Sequence, residues 1–418
     1  MQRIDTVVVG GSQAGLAMSR GLTEHGVEHV VLERGRIGER WRSERWDSLR
    51  LLTPRWLSRI GGWGDVGADP EGFMDRQEVI RYLEAYAAVV EAPIEEGVTV
   101  LSVEPSSSGF TVVTSRGTWL CDHVVVATGH SQQAHVPRFA ASLDASVTQV
   151  APTEYRSADR LPSGGVLVVG GSATGLQLAE EIHASGRPVH LAVGRHIRLP
   201  RRYRDRDIME WLHRMGSLGE RIDAVRNPQA SASQPSLQLV GTPDRSDLDL
   251  GRLQSRGVRL LGRALGAHGS RVWFDDDLIE NLAAADFKLA SLRRRIDAFV
   301  VREGMGGFVG DPDEFRPVPL AESSDSIDLA AEGIQTVVWA TGFRRSYPWM
   351  HPSALDERGE LLHRGGISVV PGLYALGLNF QRRRSSSFLV GVADDAAELS
   401  RHLVRHRSNA NTGRGVAA

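Results

Sequence analysis

The chain opens on a β-branched run, Ile4-Asp5-Thr6-Val7-Val8-Val9, that stops at Gly10-Gly11. A helical stretch from Ser12 to about His25 follows. It carries Leu16, Ala17 and Leu22 on one face, and Gly26 fits the left-handed position that ends helices. A second strand, Val27 to Leu32, ends at Glu33. Strand, helix and strand within about 30 residues predict a βαβ unit. The pattern returns later. Val166 to Val169 reads as a strand, Gly170-Gly171 as a turn, Ala173 to Ser185 as a helix closed by Gly186, and Val189 to Val193 as a strand ending at Gly194-Arg195. Two such units about 160 residues apart predict two nucleotide-binding domains rather than a short-period repeat.

Two further strands share an ending. Val124 to Val126 runs into Ala127-Thr128-Gly129, and Val337 to Trp339 into Ala340-Thr341-Gly342. Residues 200–320 contain a loop from Asn227 to Pro235 and a long amphipathic helix from Leu278 to Arg302. The last part predicts a short strand, Leu373 to Leu376, and a helix from about Ala393 to His406. The expected fold class is α/β, with two Rossmann-like dinucleotide-binding domains, the second inserted into the first. The expected divisions are residues 1–160 and 321–407 for the first domain and 161–320 for the second with its helical insertion. A disordered tail is expected over 408–418.

Composition sets the limits. The 418 residues carry a formal net charge of −2, which argues against a nucleic-acid or acidic-membrane partner recruited by bulk charge. Lys288 is the only lysine among 49 basic residues, so arginines are abundant and a single one carries little weight. The runs Arg293-Arg294-Arg295 and Arg382-Arg383-Arg384 read as solvated faces. Cys121 is the only cysteine, which rules out an intrachain disulfide, a thiolate zinc site and a CxxC pair. No HExxH spacing and no G-x-S-x-G elbow occurs, and no metal is expected. The first strand begins too early for a signal peptide, and no apolar run approaches the roughly 18 residues that span a bilayer. A cytoplasmic protein is expected.

The glycine loops carry the chemistry. Gly10, Ser12 and Gly15 occupy the G-x-G-x-x-G positions with serine in the middle, and Gly170, Ser172 and Gly175 repeat the arrangement. The first glycine allows a tight turn off the strand and the last lets the helix lie close to the sheet. The middle residue sits where backbone amides approach a pyrophosphate at a helix N-terminus. Gln13 and Ala14, with Ala173 and Thr174, belong to the same loops. Glu33, 23 residues after Gly10, is placed to accept from the ribose hydroxyls of an adenosine and to repel a 2′-phosphate. Arg195, 25 residues after Gly170, lies where a 2′-phosphate would sit, with Arg201 and Arg202 close behind. One charge-assisted hydrogen bond, roughly 1.5–3 kcal/mol, is enough for about a 10- to 100-fold preference for NADPH over NADH.

Two dinucleotide loops and two Ala-Thr-Gly strands in this order make the sequence resemble the flavin-containing monooxygenase superfamily, particularly its bacterial single-component (class B) and plant auxin-forming members. Arg40-Trp41 and the run Trp46 to Arg55 look like the family segment under the flavin ring, and Gly194 to Tyr203 looks like the segment beyond the NADPH-domain strand. The resemblance covers most of residues 1–400. It implies FAD on the first loop, NADPH on the second, and transfer of oxygen to a small organic substrate through a C4a-peroxyflavin. The candidate cofactor-binding residues then extend to Arg34, Trp41, Thr53, Thr128, Gly129, Thr341, Gly342 and Gly377. Leu52, Asn379 and Phe388 are candidates for the substrate pocket, and no acid, base or nucleophile is assigned. Two features depart from the family. Of its fingerprint FxGxxxHxxx(F/Y), only the final aromatic is matched, by Tyr155; Ala145, Val147 and Ala151 stand at the other positions. Many relatives carry asparagine where this chain has Leu52, which cannot hydrogen-bond a peroxide. An uncoupled NADPH oxidase or reductase and a silent FAD-binding regulatory protein therefore stand as alternatives, and the substrate and oligomeric state stay open.

Overall fold

The computed structural model describes residues 1–107, 109–319 and 323–415. Strand β1 (Gln2–Val9), helix α1 (Gln13–Glu24) and strand β2 (His29–Glu33) form the expected opening unit. Val7, Val8 and Val31 are fully buried, as in a parallel strand covered on both faces. After helix α2 (Arg76–Val89), strand β3 (Ile94–Glu96) joins the far side of β2. Strands β4 (Val100–Ser106) and β5 (Gly109–Thr114) make a hairpin that leads into β6 (Gly117–Val126). Strand β6 lies parallel to β1, with Val125 opposite Val8.

The chain then crosses to a second sheet. Strand β7 (Gln133–Ala134) marks the crossing, followed by β8 (Thr148–Val150), β9 (Gly165–Val169), helix α3 (Ala173–Ala184) and strand β10 (Val189–Ala192). Strand β11 (Arg259–Leu261), helix α4 (Leu278–Arg302) and strand β12 (Ile334–Trp339) complete this unit. Its parallel order is β11-β10-β9-β12-β8. The chain returns through β13 (Phe343–Arg344), antiparallel to β7, so the outgoing and returning linkers are zipped to each other. Strand β14 (Leu373–Ala375) then rejoins the first sheet beside β6, and helix α5 (Leu389–Gly415) packs on α1.

The insertion is as expected, but its limits move. Thr148–Val150 lies before residue 160 and Ile334–Trp339 after residue 320, yet both belong to the second sheet, where β12 pairs with β8 and β9. The disordered tail is also corrected. Helix α5, anchored by buried Val392, Ala396, Leu399 and Leu403, meets no proline or glycine between Gly391 and Gly413 and continues to Gly415. Residues 416–418 lie outside the described residues. The segment from Asn227 to Pro235 holds a short helix, Pro228–Ala232, capped by the Asn227 side chain.

Nor is the Arg382–Arg384 run a solvated face. The side chains of Arg382 and Arg383 are mostly buried and converge on Glu398, and Arg383 also reaches Asp395 at 3.1 Å. Asp395 is fully buried, and burial pushes its carboxyl up to about 6 although Ser386 and Arg383 pull the other way. A folded pKa above the ordinary carboxylate value means that the native state holds the proton more tightly than the unfolded chain. The stability from this group is complete below about pH 4 and is lost as the pH rises through 6, amounting to roughly 3 kcal/mol at most. Asp395→Asn is therefore expected to gain stability relative to the parent protein between pH 4 and 7 in thermal unfolding; a difference that stays constant over that range would contradict the shift.

Candidate active site

The two loops share one construction. Gly10 turns at a φ of 113° and Gly170 at 120°, where side-chain-bearing residues are strained. A Cβ on Gly15 would lie 1.8 Å from the Gly10 carbonyl oxygen, and one on Gly175 would lie 1.7 Å from that of Gly170. The helix in each unit thus starts against the end of its strand. A Cβ on Gly10 would meet the Ala127 oxygen at 2.7 Å, and one on Gly170 the Ala340 oxygen at 2.2 Å. Each Ala-Thr-Gly segment therefore crosses over the first glycine of its own loop.

The first turns of α1 and α3 are bare. Ser12 and Ser172 precede them without a side-chain capping bond, and neither first turn has an acidic residue. By contrast, Asp75, Asp207 and Asp249 cap the helices that follow them. Uncapped amides at the positive end of a helix fit the phosphates of a dinucleotide. Glu33 stands at the lip of the first loop, accepting from the Gly11 amide at 2.7 Å and from the Gly35 amide at 2.9 Å. Gly377, at a φ of 82°, brings the returning chain against α1, since a Cβ there would lie 2.7 Å from that of Ala14. Thr128 and Gly129 are tied to the outgoing linker, because the Gln132 side-chain amide donates to the Thr128 hydroxyl at 2.7 Å and to the Gly129 carbonyl at 3.2 Å. In the second unit the Thr341 hydroxyl donates to the His135 carbonyl. Arg34 pairs with Glu44 at 3.1 Å.

A cavity of about 1440 Å³ opens between the units. One wall holds Gly170, Ser172, Ala173, Thr174, Arg195, Thr341 and Gly342; the other holds Gln13, Trp41, Leu52, Thr53, Asn379 and Phe388. Gly10, Ser12, Ala14, Gly15, Glu33, Thr128, Gly129 and Gly377 gather around the first loop outside it, and Gly175 lies behind the second. Trp41 and Trp46 line the cavity, while Trp63 packs with Tyr82 and Tyr86. Tyr155 is buried, its hydroxyl donating to Glu181 on α3 at 2.9 Å.

Arg201 and Arg202 are not brought to the cavity. Beyond Pro200 the chain reverses in a hairpin in which Arg202 pairs with Asp207 and Tyr203 with Arg206. Arg202 faces solvent, donating to the Asp205 carbonyl, and Arg201 is only 2% exposed and held by Asp207 and the Leu52 carbonyl. Lys288 shares the cavity wall with Arg195 instead. Arg198, also on that wall, is neutralised by Asp249 and Asp286, each at 2.6 Å.

Arg45 and His130 are among the lining residues that escaped the sequence reading. Arg45 lies over the rings of Trp41 and Phe343, each centroid at 5.9 Å. Enclosure, with Arg40 beside it, pushes its guanidinium down to about 10, so it stays charged at neutral pH. His130 opens onto the cavity but is surrounded by protein, and this desolvation, with Arg345, Arg45 and Arg40 nearby, lowers its pKa and favours the neutral ring. Arg45 sits inside the tryptophan-rich segment and His130 directly follows Gly129, so position alone was the available signal. Cys121 is buried in β6, where desolvation pushes its thiol up to about 12. Among the described residues no group of three or more metal-ligating side chains forms, and no helix is long and apolar enough to cross a membrane.

Two glycine loops of this construction, the second lining the cavity and the first reaching it through Gln13, mark an oxidoreductase with two dinucleotide-binding units. Residues 7–217 match the family model of the pyridine nucleotide-disulphide oxidoreductases, half of the chain, and the protein belongs to that family. Members of that family use FAD and NADPH. The chain is 31% identical over 406 residues to an uncharacterized oxidoreductase (CzcO-like) of Geobacillus kaustophilus, covering 96% of this chain and 99% of the relative. It is 28% identical over 192 residues to the probable indole-3-pyruvate monooxygenase YUCCA3 of Arabidopsis thaliana, covering 43% of this chain and 44% of that one. The flavin-containing monooxygenase from Stenotrophomonas maltophilia has the same fold, with a TM-score of 0.67 at 20% identity over 97% of this chain and 99% of that one.

A methyl group at Gly15 must push α1 off β1. Gly15→Ala is expected to purify with less than about a tenth of the parent FAD per chain, read from flavin absorbance, whereas Gly175→Ala keeps its FAD. Full FAD in Gly15→Ala would contradict the close approach.

Proposed function

We propose that the protein is an NADPH-dependent FAD monooxygenase acting on a small organic substrate with molecular oxygen. The observation that carries the reading is the pair of uncapped phosphate loops built into two units that share one cavity. In this reading the amides of residues 12–15 and the Glu33 carboxylate hold FAD. The second loop, Arg195 and Lys288 hold NADPH. When bound, FAD supplies the two-electron chemistry that couples NADPH oxidation to oxygen. The chain supplies position, charge and dryness. Trp41, Trp46, Leu52 and Phe388 exclude water from the reacting centre, and the Arg45 guanidinium keeps a fixed positive charge in the wall for negative charge that develops there. Asn379, which donates to the Ala232 carbonyl at 3.2 Å, ties the returning chain to the 231–237 loop at the cavity edge. The reading places the reaction in the cytoplasm, consistent with a chain whose single cysteine is buried and reduced.

Leu52 favours a second reading. Its side chain lines the cavity and donates no hydrogen bond, so oxygen would be released as hydrogen peroxide and the enzyme would work as an NADPH oxidase. Peroxide formed per NADPH consumed, measured over a panel of amines, sulfides, ketones and keto acids, separates the two. A substrate that lowers the ratio well below one while gaining oxygen supports the monooxygenase; a ratio of one across the panel overturns it. A protein that holds FAD but consumes no NADPH under air would overturn both.

Arg195→Ala is expected to raise the KM for NADPH about 10- to 100-fold and to leave the KM for NADH nearly unchanged. Equal losses for both nucleotides would remove Arg195 from the 2′-phosphate.

A further inference from the structure

We infer that Arg201 is a positioning residue, which reaches from the second unit to hold the cavity-lining segment Leu51-Leu52-Thr53 of the first. The inference rests on the proposed reading of the cavity. Arg201 is only 2% exposed, and a buried guanidinium is costly unless its partners are well placed. It has three. One terminal nitrogen pairs with Asp207, the other donates to the Leu52 carbonyl at 2.7 Å, and the guanidinium stacks 4.8 Å from the centre of the Phe73 ring.

Both ends of this bridge are fixed. Asp207 also accepts from the Met209 amide at 2.8 Å, capping the helix Ile208–Arg214, so the anchor sits on a helix N-terminus rather than on a loop. The Arg201 backbone amide donates to Asp247, and its carbonyl accepts from the Ile208 amide at 2.9 Å. On the other side, the Leu51 amide donates to the Met74 carbonyl at 2.9 Å, and the Thr53 hydroxyl lies 2.6 Å from that of Ser58. A second contact from the inserted unit falls on the same place, since a Cβ on Gly241 would stand 2.1 Å from the Leu51 carbonyl oxygen and 2.6 Å from the Phe73 ring.

Only a planar fork meets a carboxylate, a carbonyl and an aromatic face at once, so lysine would keep part of the bridge and glutamine less. Leu52 and Thr53 line the cavity, and a shift of their backbone moves the wall against which substrate is held. This gives the guanidinium a role in coupling rather than in recognition of a 2′-phosphate.

The test compares Arg201→Gln, Arg201→Lys and Gly241→Ala with the parent protein. Hydrogen exchange of peptides spanning residues 49–59, measured without added cofactor, is expected to speed up about tenfold in Arg201→Gln and less in Arg201→Lys, with peptides of the first sheet unchanged. In the FAD-loaded enzyme, peroxide released per NADPH should rise in Arg201→Gln and recover partly in Arg201→Lys, with the preference for NADPH over NADH intact. If Arg201→Gln does not fold, Gly241→Ala, which presses on the neighbouring carbonyl, should give the same local exchange. Unchanged exchange of residues 49–59 in the folded variants overturns the inference. So does a selective loss of NADPH over NADH in Arg201→Gln, which would return Arg201 to the phosphate. A parent enzyme that consumes no NADPH overturns the proposed function alone, and the exchange result still decides the bridge.

Discussion

The carbonyl oxygen of Gly10 lies where the side chain of residue 15 would otherwise be, and that of Gly170 lies where residue 175 would place one. This close approach sets the start of each helix against the end of its strand. It leaves the first-turn amides bare at the mouth of the loop, without a serine or aspartate side chain bonded across them. The Ala-Thr-Gly segments follow from the same constraint. Their alanine carbonyls pass within 2.2–2.7 Å of where a Cβ on Gly10 or Gly170 would sit, so each strand end, helix start and third segment form one packed corner.

Those corners become an active site only if the two units face each other. The linkers that leave and re-enter the first sheet pair as β7 and β13, and the Gln132 carboxamide bridges them, donating to Thr128 and accepting from the Ser346 amide at 2.9 Å. Arg40 adds a bond from its guanidinium to the Gln132 carbonyl at 2.8 Å. Arg201 and Gly241 bring the inserted unit against residues 51–53 at a second place. The units are therefore tied to each other at two places.

Much of this was legible in the chain because the determinants are local. Glycines at fixed spacing after apolar runs specify the strand, turn and helix of both units, and helix Leu278–Arg302 ran over the residues that its periodicity marked. The place of Glu33 at the lip of the first loop followed from counting residues along one βαβ unit. Arg201 and Arg202 did not follow, because their fate depends on a hairpin closed after them by Arg206 and Asp207 and on a partner carbonyl 149 positions away. The unit boundaries failed for a related reason: strands Thr148–Val150 and Ile334–Trp339 are defined by pairing across the sheet, and nothing local says which sheet they join. Arg45 and His130 acquire meaning only once Phe343 and Gly377 arrive from the end of the chain.

The central claim is that the two loops deliver their ligands to one shared cavity. Anaerobic mixing of the FAD-loaded protein with NADPH, followed by flavin absorbance, tests it most directly. The account predicts single-phase bleaching of the oxidised flavin that consumes one NADPH per FAD. An FAD that stays oxidised while NADPH binds tightly would mean that the two sites do not meet, and would contradict it.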